Sequence, residues 1–205
     1  MRSAIRIKVC GITTLDDALA AVDAGADALG FNFYRHSRRY VPPERAAYIV
    51  AHLPASVCTV GVFVDEPAAH VAAIVAQVGV TALQFHGDEA PEFCRVWKQK
   101  VIKAIRVSDG SAPRQAAAYD VDFILADAYV EGLLGGTGAR VDPVLLEGFD
   151  RSRLILAGGL TPDNVAEAVR TVRPFGVDVA SGIERAPGQK DTELLRRFID
   201  HAHAA

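Results

Sequence analysis

Two pairs of very small residues follow apolar runs of strand length in the last third of the sequence. Gly158–Gly159 comes after the run Leu154–Ala157, and Ser181–Gly182 comes after the run Val177–Ala180. Residues without a bulky side chain let backbone N–H groups approach a ligand closely. Two such pairs on neighbouring parallel strands would form one anion cradle, so the sequence predicts a site for a phosphorylated small molecule.

Cys10 and Asp127 are the two candidates for proton transfer. Cys10 ends an apolar run and precedes Gly11, and a cation or a helix N-terminus nearby would favour its reactive thiolate. Asp127 also ends an apolar run, where a carboxyl group among apolar neighbours can retain a proton and act as a general acid. Position alone leaves structural roles open as well, a packed thiol for Cys10 and a loop cap for Asp127.

Arg35, Arg38 and Arg39 follow the second apolar run within five residues of one another. A guanidinium group binds a carboxylate or phosphate through two parallel hydrogen bonds, so the cluster favours an anionic substrate, although any one arginine could simply face solvent. His86 lies at the end of the fourth run, and the sequence leaves three roles for it: packing in the core, supporting a catalytic residue, or binding substrate. It has no second histidine or carboxylate at a recognised zinc spacing, so the sequence predicts no metal site.

Eight strand-like runs alternate with amphipathic stretches and would have to position these side chains. This alternation predicts a parallel sheet, and nearly continuous apolar strands predict burial of both sheet faces. The predicted strands are Ile5–Cys10, Ala28–Phe33, Val57–Val64, Ala82–His86, Val101–Ile105, Phe123–Asp127, Leu154–Ala157 and Val177–Ala180.

The amphipathic stretches predict helices with well-marked ends, except that the fifth, Ser111–Tyr119, is short and degenerate. The other predicted helices are Thr14–Ala24, Pro43–His52, Pro67–Val78, Ala90–Gln99, Val141–Gly148, Pro162–Val172 and Asp191–Ala202. The predicted N-caps are Thr13 or Thr14, Asp65 and Thr161, and the predicted C-caps are Gly25, Gly79 and Gly148.

Eight strands in 205 residues fit a compact (β/α)8 TIM barrel, with its active site at the C-terminal strand ends. An open doubly wound sheet is the alternative, but no G-x-G-x-x-G motif follows the first run. Without a linker or repeat, residues 1–205 are predicted to form one domain. The glycine-rich stretch Gly135–Gly138 lacks the ending of a P-loop, and we interpret it as a flap or an extra phosphate contact.

The composition excludes several classes of partner. The formal charge of −3, without a basic block, argues against nucleic acid. No apolar stretch reaches the ~20 residues of a membrane span, and no signal peptide is recognisable. Three widely spaced cysteines argue against a disulfide framework, with Cys58 and Cys94 interpreted as packing residues. We therefore expect a cytoplasmic protein that is a monomer or a weak homodimer.

Taken in order, the motifs resemble the phosphoribosylanthranilate isomerase family of tryptophan biosynthesis. The resemblance covers nearly the whole chain, and the ordered set is far more specific than any single motif. Its segments are Lys8–Thr13, Gly30–Tyr34, Ser37–Tyr40, Val60–Val64, Gln84–Gly87, Leu125–Asp127, Gly135–Gly138, Ala157–Leu160, Val177–Glu184 and Pro187–Asp191.

The resemblance implies a cofactor-free Amadori rearrangement of N-(5-phosphoribosyl)anthranilate. It implies that Asp127 protonates the ribose ring oxygen and that Cys10 removes the C2′ proton. The implied substrate-binding residues are Arg39 for the anthranilate carboxylate, His86, and the phosphate cradle of Gly158, Gly159, Ser181 and Gly182. The segment Arg35–Arg39 replaces a common Pro-Lys-Ser-Pro-Arg, so Arg38 could compete with Arg39.

Three other functions remain open. A dual-substrate or histidine-pathway aminoaldose isomerase would use the same barrel, although that enzyme typically has two catalytic aspartates where this chain has Cys10 and Asp127. A Schiff-base aldolase would use Lys8 or Lys103. A non-catalytic phosphosugar-binding barrel is the third, and the presence of both Cys10 and Asp127 argues against it.

Overall fold

The chain forms a closed barrel of eight parallel strands in sequence order, which confirms the predicted (β/α)8 fold. A computed structural model describes residues 5–127 and 143–205. Strand β8 closes the barrel on β1, where Lys8 and Asp178 are register partners. The strands are β1 (Arg6–Cys10), β2 (Ala28–Asn32), β3 (Cys58–Phe63), β4 (Ala82–Phe85), β5 (Lys100–Arg106), β6 (Phe123–Asp127), β7 (Leu154–Ala157) and β8 (Gly176–Val179).

Helices and short turns connect the strands and cover the outside of the barrel. The helices are α1 (Leu15–Ala24), α2 (Pro43–Ala51), α3 (Ala68–Val78), α4 (Pro91–Cys94), α5 (Ala112–Ala117), α6 (Val165–Val172) and α7 (Thr192–His203). Single 3-10 turns span Pro143–Leu146 and Ser181–Ile183, and a small hairpin of β9 (Glu184–Ala186) and β10 (Gln189–Lys190) follows β8.

Alternate side chains of the strands build two separate apolar layers. The barrel interior holds mostly modest side chains, including Val60, Ala82 and Ala104. The larger layer lies between the strands and the helices and includes Leu83 and Phe198. Because both sheet faces are buried, the strands read as continuous apolar runs rather than as alternating ones.

The predicted caps Thr14, Gly25 and Gly79 are confirmed. The Thr14 side chain accepts a hydrogen bond from the N–H of Asp17, and Gly25 ends α1 with a φ of 104°. Gly79 ends α3 with a φ of 75°. This left-handed conformation favours glycine because a Cβ would crowd the backbone.

The predicted N-caps Asp65 and Thr161 were wrong. The Asp65 carboxylate accepts a hydrogen bond from the N–H of Asp88 in the next loop, and α3 begins only at Ala68. The segment Thr161–Asn164 forms a turn before α6, in which Asn164 Oδ1 accepts from the N–H of Thr161. A contact with another loop thus replaces the cap at Asp65, and a turn of its own replaces it at Thr161.

Two connections are shorter than predicted. The fourth helix has four residues, and the expected helix Val141–Gly148 is represented by the 3-10 turn Pro143–Leu146 within the described residues. The degenerate fifth helix is confirmed as six residues. The glycine-rich stretch 135–138 lies outside the described residues. In the described part of the chain, no helix is long and apolar enough to cross a membrane.

Candidate active site

The residues that the sequence singled out collect at the C-terminal ends of the strands. Cys10 ends β1, Asp127 ends β6, and His86 directly follows β4. The two small pairs follow β7 and β8, and Arg39 lies in the loop after β2. Parallel strands in one barrel bring all of these ends to the same face, which is where (β/α)8 barrels carry their active sites.

On one side of this face, Asp127 belongs to a chain of three polar side chains. His86 Nε2 lies 3.3 Å from Asp127 Oδ2, and Gln84 Nε2 lies 2.9 Å from His86 Nδ1. The Gln84 amide donates to Nδ1, so the histidine proton is assigned to Nε2 and points at the carboxyl group. Gln84 is 1 % exposed, and its Oε1 has no hydrogen-bond partner among the described residues.

On the other side, Cys10 stands next to a buried ion pair. Lys8 Nζ lies 2.9 Å from Asp178 Oδ1, and the two side chains are 4 % and 9 % exposed. Burial alone would lower the pKa of Lys8, but the neighbouring Asp178 and Cys10 outweigh burial and raise it. The lysine is therefore a permanent cation beneath the site. The sequence placed Lys8 at the barrel mouth but not its partner Asp178.

Arg39 is held by a buried carboxylate that the sequence analysis missed. Its Nε and Nη2 donate to both carboxylate oxygens of Glu184 at 2.6–3.1 Å. Lys190 Nζ lies 2.9 Å from Glu184 and 2.6 Å from the Cys10 carbonyl oxygen. Burial alone would raise the pKa of Glu184, but hydrogen bonds from Arg39 and the charge of Lys190 lower it.

The loop after β2 separates the three arginines. Arg39 is partly buried, whereas Arg35 and Arg38 are exposed. The stem of Arg39 packs over Gly11, whose φ is 77° and where an added Cβ would lie 2.5 Å from Arg39 Cδ. Only glycine leaves room for this arginine. Arg39 therefore reaches the neighbourhood of Cys10 in a fixed orientation, which Arg35 and Arg38 lack.

The two small pairs lie on adjoining loops, as the sequence predicts. Gly158 and Gly159 have φ values of 89° and 62°. An added Cβ on Gly182 would overlap the carbonyl oxygen of Leu160, so the loops after β7 and β8 touch through backbone. Asn164 Nδ2 donates to the carbonyl oxygen of Gly159 at 3.0 Å and steadies the first loop. The arrangement leaves a surface of bare backbone suited to an anion.

Lys103, the second lysine considered for Schiff-base chemistry, lies on the outer side of the barrel wall. It is 1 % exposed, and its ammonium donates to Glu89 Oε2 at 2.8 Å and to the Gly87 carbonyl oxygen at 2.5 Å. A buried, paired ammonium is a poor nucleophile because it does not present a free amine. The structure therefore gives no support to an aldolase role for Lys103.

A separate cavity of about 330 Å³ opens at the opposite, N-terminal end of the barrel. Its lining includes small residues such as Ala28, Cys58 and Gly176 and larger ones such as Phe123 and Phe175. The Lys8 stem also borders it, so the cavity lies beneath the buried ion pair. None of the predicted catalytic or substrate-binding residues lines this cavity.

Comparison with known proteins shows which family the chain resembles over its length. Residues 7–201 match the family model described as N-(5'phosphoribosyl)anthranilate (PRA) isomerase. The N-(5'-phosphoribosyl)anthranilate isomerase of Geobacter metallireducens is 49 % identical over 98 % of this chain and 100 % of its own length.

Solved structures give the same result. A phosphoribosyl anthranilate isomerase from Thermotoga maritima has a TM-score of 0.91 and 42 % identity, covering 98 % of this chain and 100 % of its own. A phosphoribosyl anthranilate isomerase solved in complex with reduced 1-(o-carboxyphenylamino)-1-deoxyribulose 5-phosphate has a TM-score of 0.87 and 40 % identity, with the same coverage. A further T. maritima structure, of monomers generated from the dimeric enzyme, has a TM-score of 0.86 and 39 % identity over 98 % of this chain and 100 % of its own. This chain therefore belongs to the N-(5′-phosphoribosyl)anthranilate isomerase family.

Proposed function

We propose that this isomerase of tryptophan biosynthesis converts N-(5-phosphoribosyl)anthranilate into 1-(2-carboxyphenylamino)-1-deoxyribulose 5-phosphate by general acid and general base catalysis. The observation that carries the proposal is the placement of Asp127 and Cys10 on β6 and β1, which are separated around the barrel by β7 and β8. A sugar held over the barrel mouth would have one group on each side. The reduced product analogue bound to a relative supports the same substrate class.

The acid step begins at the ribose ring oxygen. Asp127 gives this oxygen a proton as the C1′–O4′ bond breaks, and the anthranilate nitrogen supplies the electrons that form the C1′ iminium. His86 directs its Nε2–H at Asp127 Oδ2 and holds that oxygen, and we assign the proton transfer to the other carboxyl oxygen. This contact orients the acid without requiring a charge on the histidine.

The base step begins at C2′. The Cys10 thiolate removes the C2′ proton, and the electrons of that bond form the C1′=C2′ enolamine while the iminium nitrogen becomes neutral. The enolamine becomes the ketone when C1′ gains a proton and the C2′ hydroxyl loses one. Electron pairs shift within the substrate, and protons pass between the substrate and Asp127 or Cys10 without a net gain or loss, so the rearrangement consumes no redox reagent.

Binding groups at both ends of the substrate would hold the sugar between Asp127 and Cys10. We assign the phosphate to the adjoining loops at Gly158–Gly159 and Ser181–Gly182, whose backbone touches at Gly182. We assign the anthranilate carboxylate to Arg39, using the guanidinium edge that Glu184 does not occupy. Glu184 binds Nε and Nη2, which leaves Nη1 without a hydrogen bond to the described residues.

The test is turnover, followed by the loss of substrate fluorescence. Asp127→Asn and Cys10→Ser should each lower kcat by about 10²–10⁴-fold, as expected for loss of one acid or base. Cys58→Ser is the matched control, because Cys58 lies at the opposite end of β3 and should leave kcat unchanged. Full activity in Asp127→Asn would refute the acid assignment, and no turnover by the unaltered protein would refute the activity.

A further inference from the structure

The Lys8–Asp178 ion pair has no part in the acid and base steps, yet it lies buried directly beneath them. The two residues are register partners on β1 and β8, and their charged atoms are 2.9 Å apart. A buried ion pair contributes little net stability compared with apolar residues of similar size. Its presence at the centre of the site therefore suggests a role in the chemistry.

The positive end of the pair adjoins the Cys10 sulfur. Cys10 is the register partner of Gly30 on β2. An added Cβ on Gly30 would lie 2.8 Å from Cys10 Sγ and 3.0 Å from Lys8 Nζ, so sulfur and ammonium share the space above this glycine. Interaction with Cys10 also helps to keep the pKa of Lys8 raised despite burial, which tends to lower it.

Two further cations face Cys10 from other elements. Arg39, in the loop after β2, interacts electrostatically with Cys10, and so does Lys190 on β10. Glu184 neutralises both in part, as Asp178 does Lys8. Lys8 is the cation that shares the space above Gly30 with the sulfur, and it comes from the same strand as Cys10.

The negative end of the pair holds the ammonium in place. Asp178 Oδ1 lies 2.9 Å from Lys8 Nζ, and the Asp178 side chain is 9 % exposed. Burial raises the pKa of Asp178, and the charge of Lys8 opposes this effect. The carboxylate and the ammonium therefore depend on each other in the buried layer beneath Cys10.

We infer that Lys8 is a positioning residue whose buried ammonium, held by Asp178, stabilises negative charge on the Cys10 sulfur. The inference rests on the proposed role of Cys10. A base must start without its proton, and an adjacent cation favours the charged form of a thiol. Asp178 supplies the counter-charge that allows the Lys8 ammonium to lie buried next to the sulfur.

The first experiment measures the Cys10 thiolate without using turnover. Intact protein is alkylated with iodoacetamide across a pH series, and the rate at Cys10 is read by peptide mass spectrometry. Lys8→Met should move the pH midpoint for Cys10 upward by about one unit or more, the size expected when an adjacent charge is removed. Cys58 in the same sample is the internal control, and its midpoint should not move. An unchanged Cys10 midpoint in folded Lys8→Met would overturn the inference.

A second variant covers the case in which Lys8→Met fails to fold, because that substitution leaves Asp178 buried without a partner. The double variant Lys8→Met with Asp178→Asn removes both charges and keeps similar volumes. It should still raise the Cys10 midpoint and should move the acidic limb of the kcat/KM profile upward in pH, because the base at Cys10 ionises less readily. Lys103→Met breaks another buried pair away from Cys10 and is the control for stability loss alone; circular dichroism verifies folding of every variant.

The outcomes separate this inference from the proposed function. If Cys10→Ser retains full activity, the assignment of the base fails, while the alkylation midpoint still reports whether Lys8 acts on the sulfur. If Cys10→Ser is inactive but neither the midpoint nor the acidic limb moves in the double variant, the proposed function stands and the positioning role is refuted.

Discussion

Replacing Glu184 with glutamine gives the sharpest test of the charged cluster around Arg39. Glu184 accepts hydrogen bonds from Arg39 and Lys190 at 2.6–3.1 Å, and it also accepts from the N–H of Gly188 at 3.2 Å. Glutamine keeps the volume and one acceptor oxygen but removes the negative charge. The substitution therefore isolates electrostatics from packing.

The structure sets the size of the expected effect on stability. The side chains of Glu184 and Lys190 are 4 % and 1 % exposed, so Glu184→Gln would leave a buried ammonium without a counter-charge. Removing one partner of a buried ion pair costs about 3–5 kcal/mol. We expect a loss of about 3 kcal/mol in the free energy of unfolding, because the amide oxygen still accepts one hydrogen bond.

The same substitution should affect substrate binding more than chemistry. Arg39 would keep its charge but lose the carboxylate that orients it, and freezing a mobile arginine costs about 1–2 kcal/mol of rotamer entropy. We expect KM to rise about tenfold, which corresponds to about 1.4 kcal/mol. The value of kcat should change much less, since Cys10 and Asp127 are untouched.

Urea unfolding and steady-state kinetics measure the two effects, and Glu92→Gln is the matched control. Glu92 also pairs with an arginine, Arg95, at 2.8 Å, but its side chain is 75 % exposed. Exposed pairs contribute less than about 1 kcal/mol. Equal stability losses in the two variants, or a fall in kcat with an unchanged KM in Glu184→Gln, would refute the reasoning.

Three further predictions concern pH, the phosphate loops and the histidine. The folded protein holds the pKa of Glu184 below its unfolded value of about 4.3. The stabilisation from ionised Glu184 is therefore present above that pH and is lost as the pH falls further. The free energy of unfolding should thus fall less steeply with acid in Glu184→Gln. Gly182→Ala should weaken the binding of inorganic phosphate at least tenfold, measured by calorimetry, because the added Cβ would push the Leu160 loop away. Gly79→Ala is the control: its Cβ meets open space, so it should cost only about 1 kcal/mol of stability and leave phosphate binding unchanged. Gln84→Met should release the His86 tautomer, visible in ¹⁵N spectra, and lower kcat with little change in KM; a single unchanged tautomer would contradict the role of the amide.

The fold is predictable from the sequence because its signals are local and periodic. Short apolar runs alternate with amphipathic stretches, and a barrel of parallel strands brings every strand end to one face. The order of the runs along the chain is therefore enough to place Cys10, Asp127 and the two small pairs together. The misplaced caps Asp65 and Thr161 show where such signals fail, since Asp65 accepts a hydrogen bond from another loop and Thr161 lies in a turn that precedes the helix.

The side chains that hold the site residues in place come from distant parts of the chain. Lys8 and Asp178 are 170 positions apart, and Arg39 and Glu184 are 145 apart. No spacing rule links such residues, because barrel closure alone decides which side chains meet. Local patterns thus specify the barrel, its family and the groups at its mouth. The buried charges that hold those groups arise from long-range packing, in which burial makes each ionised side chain depend on its partner.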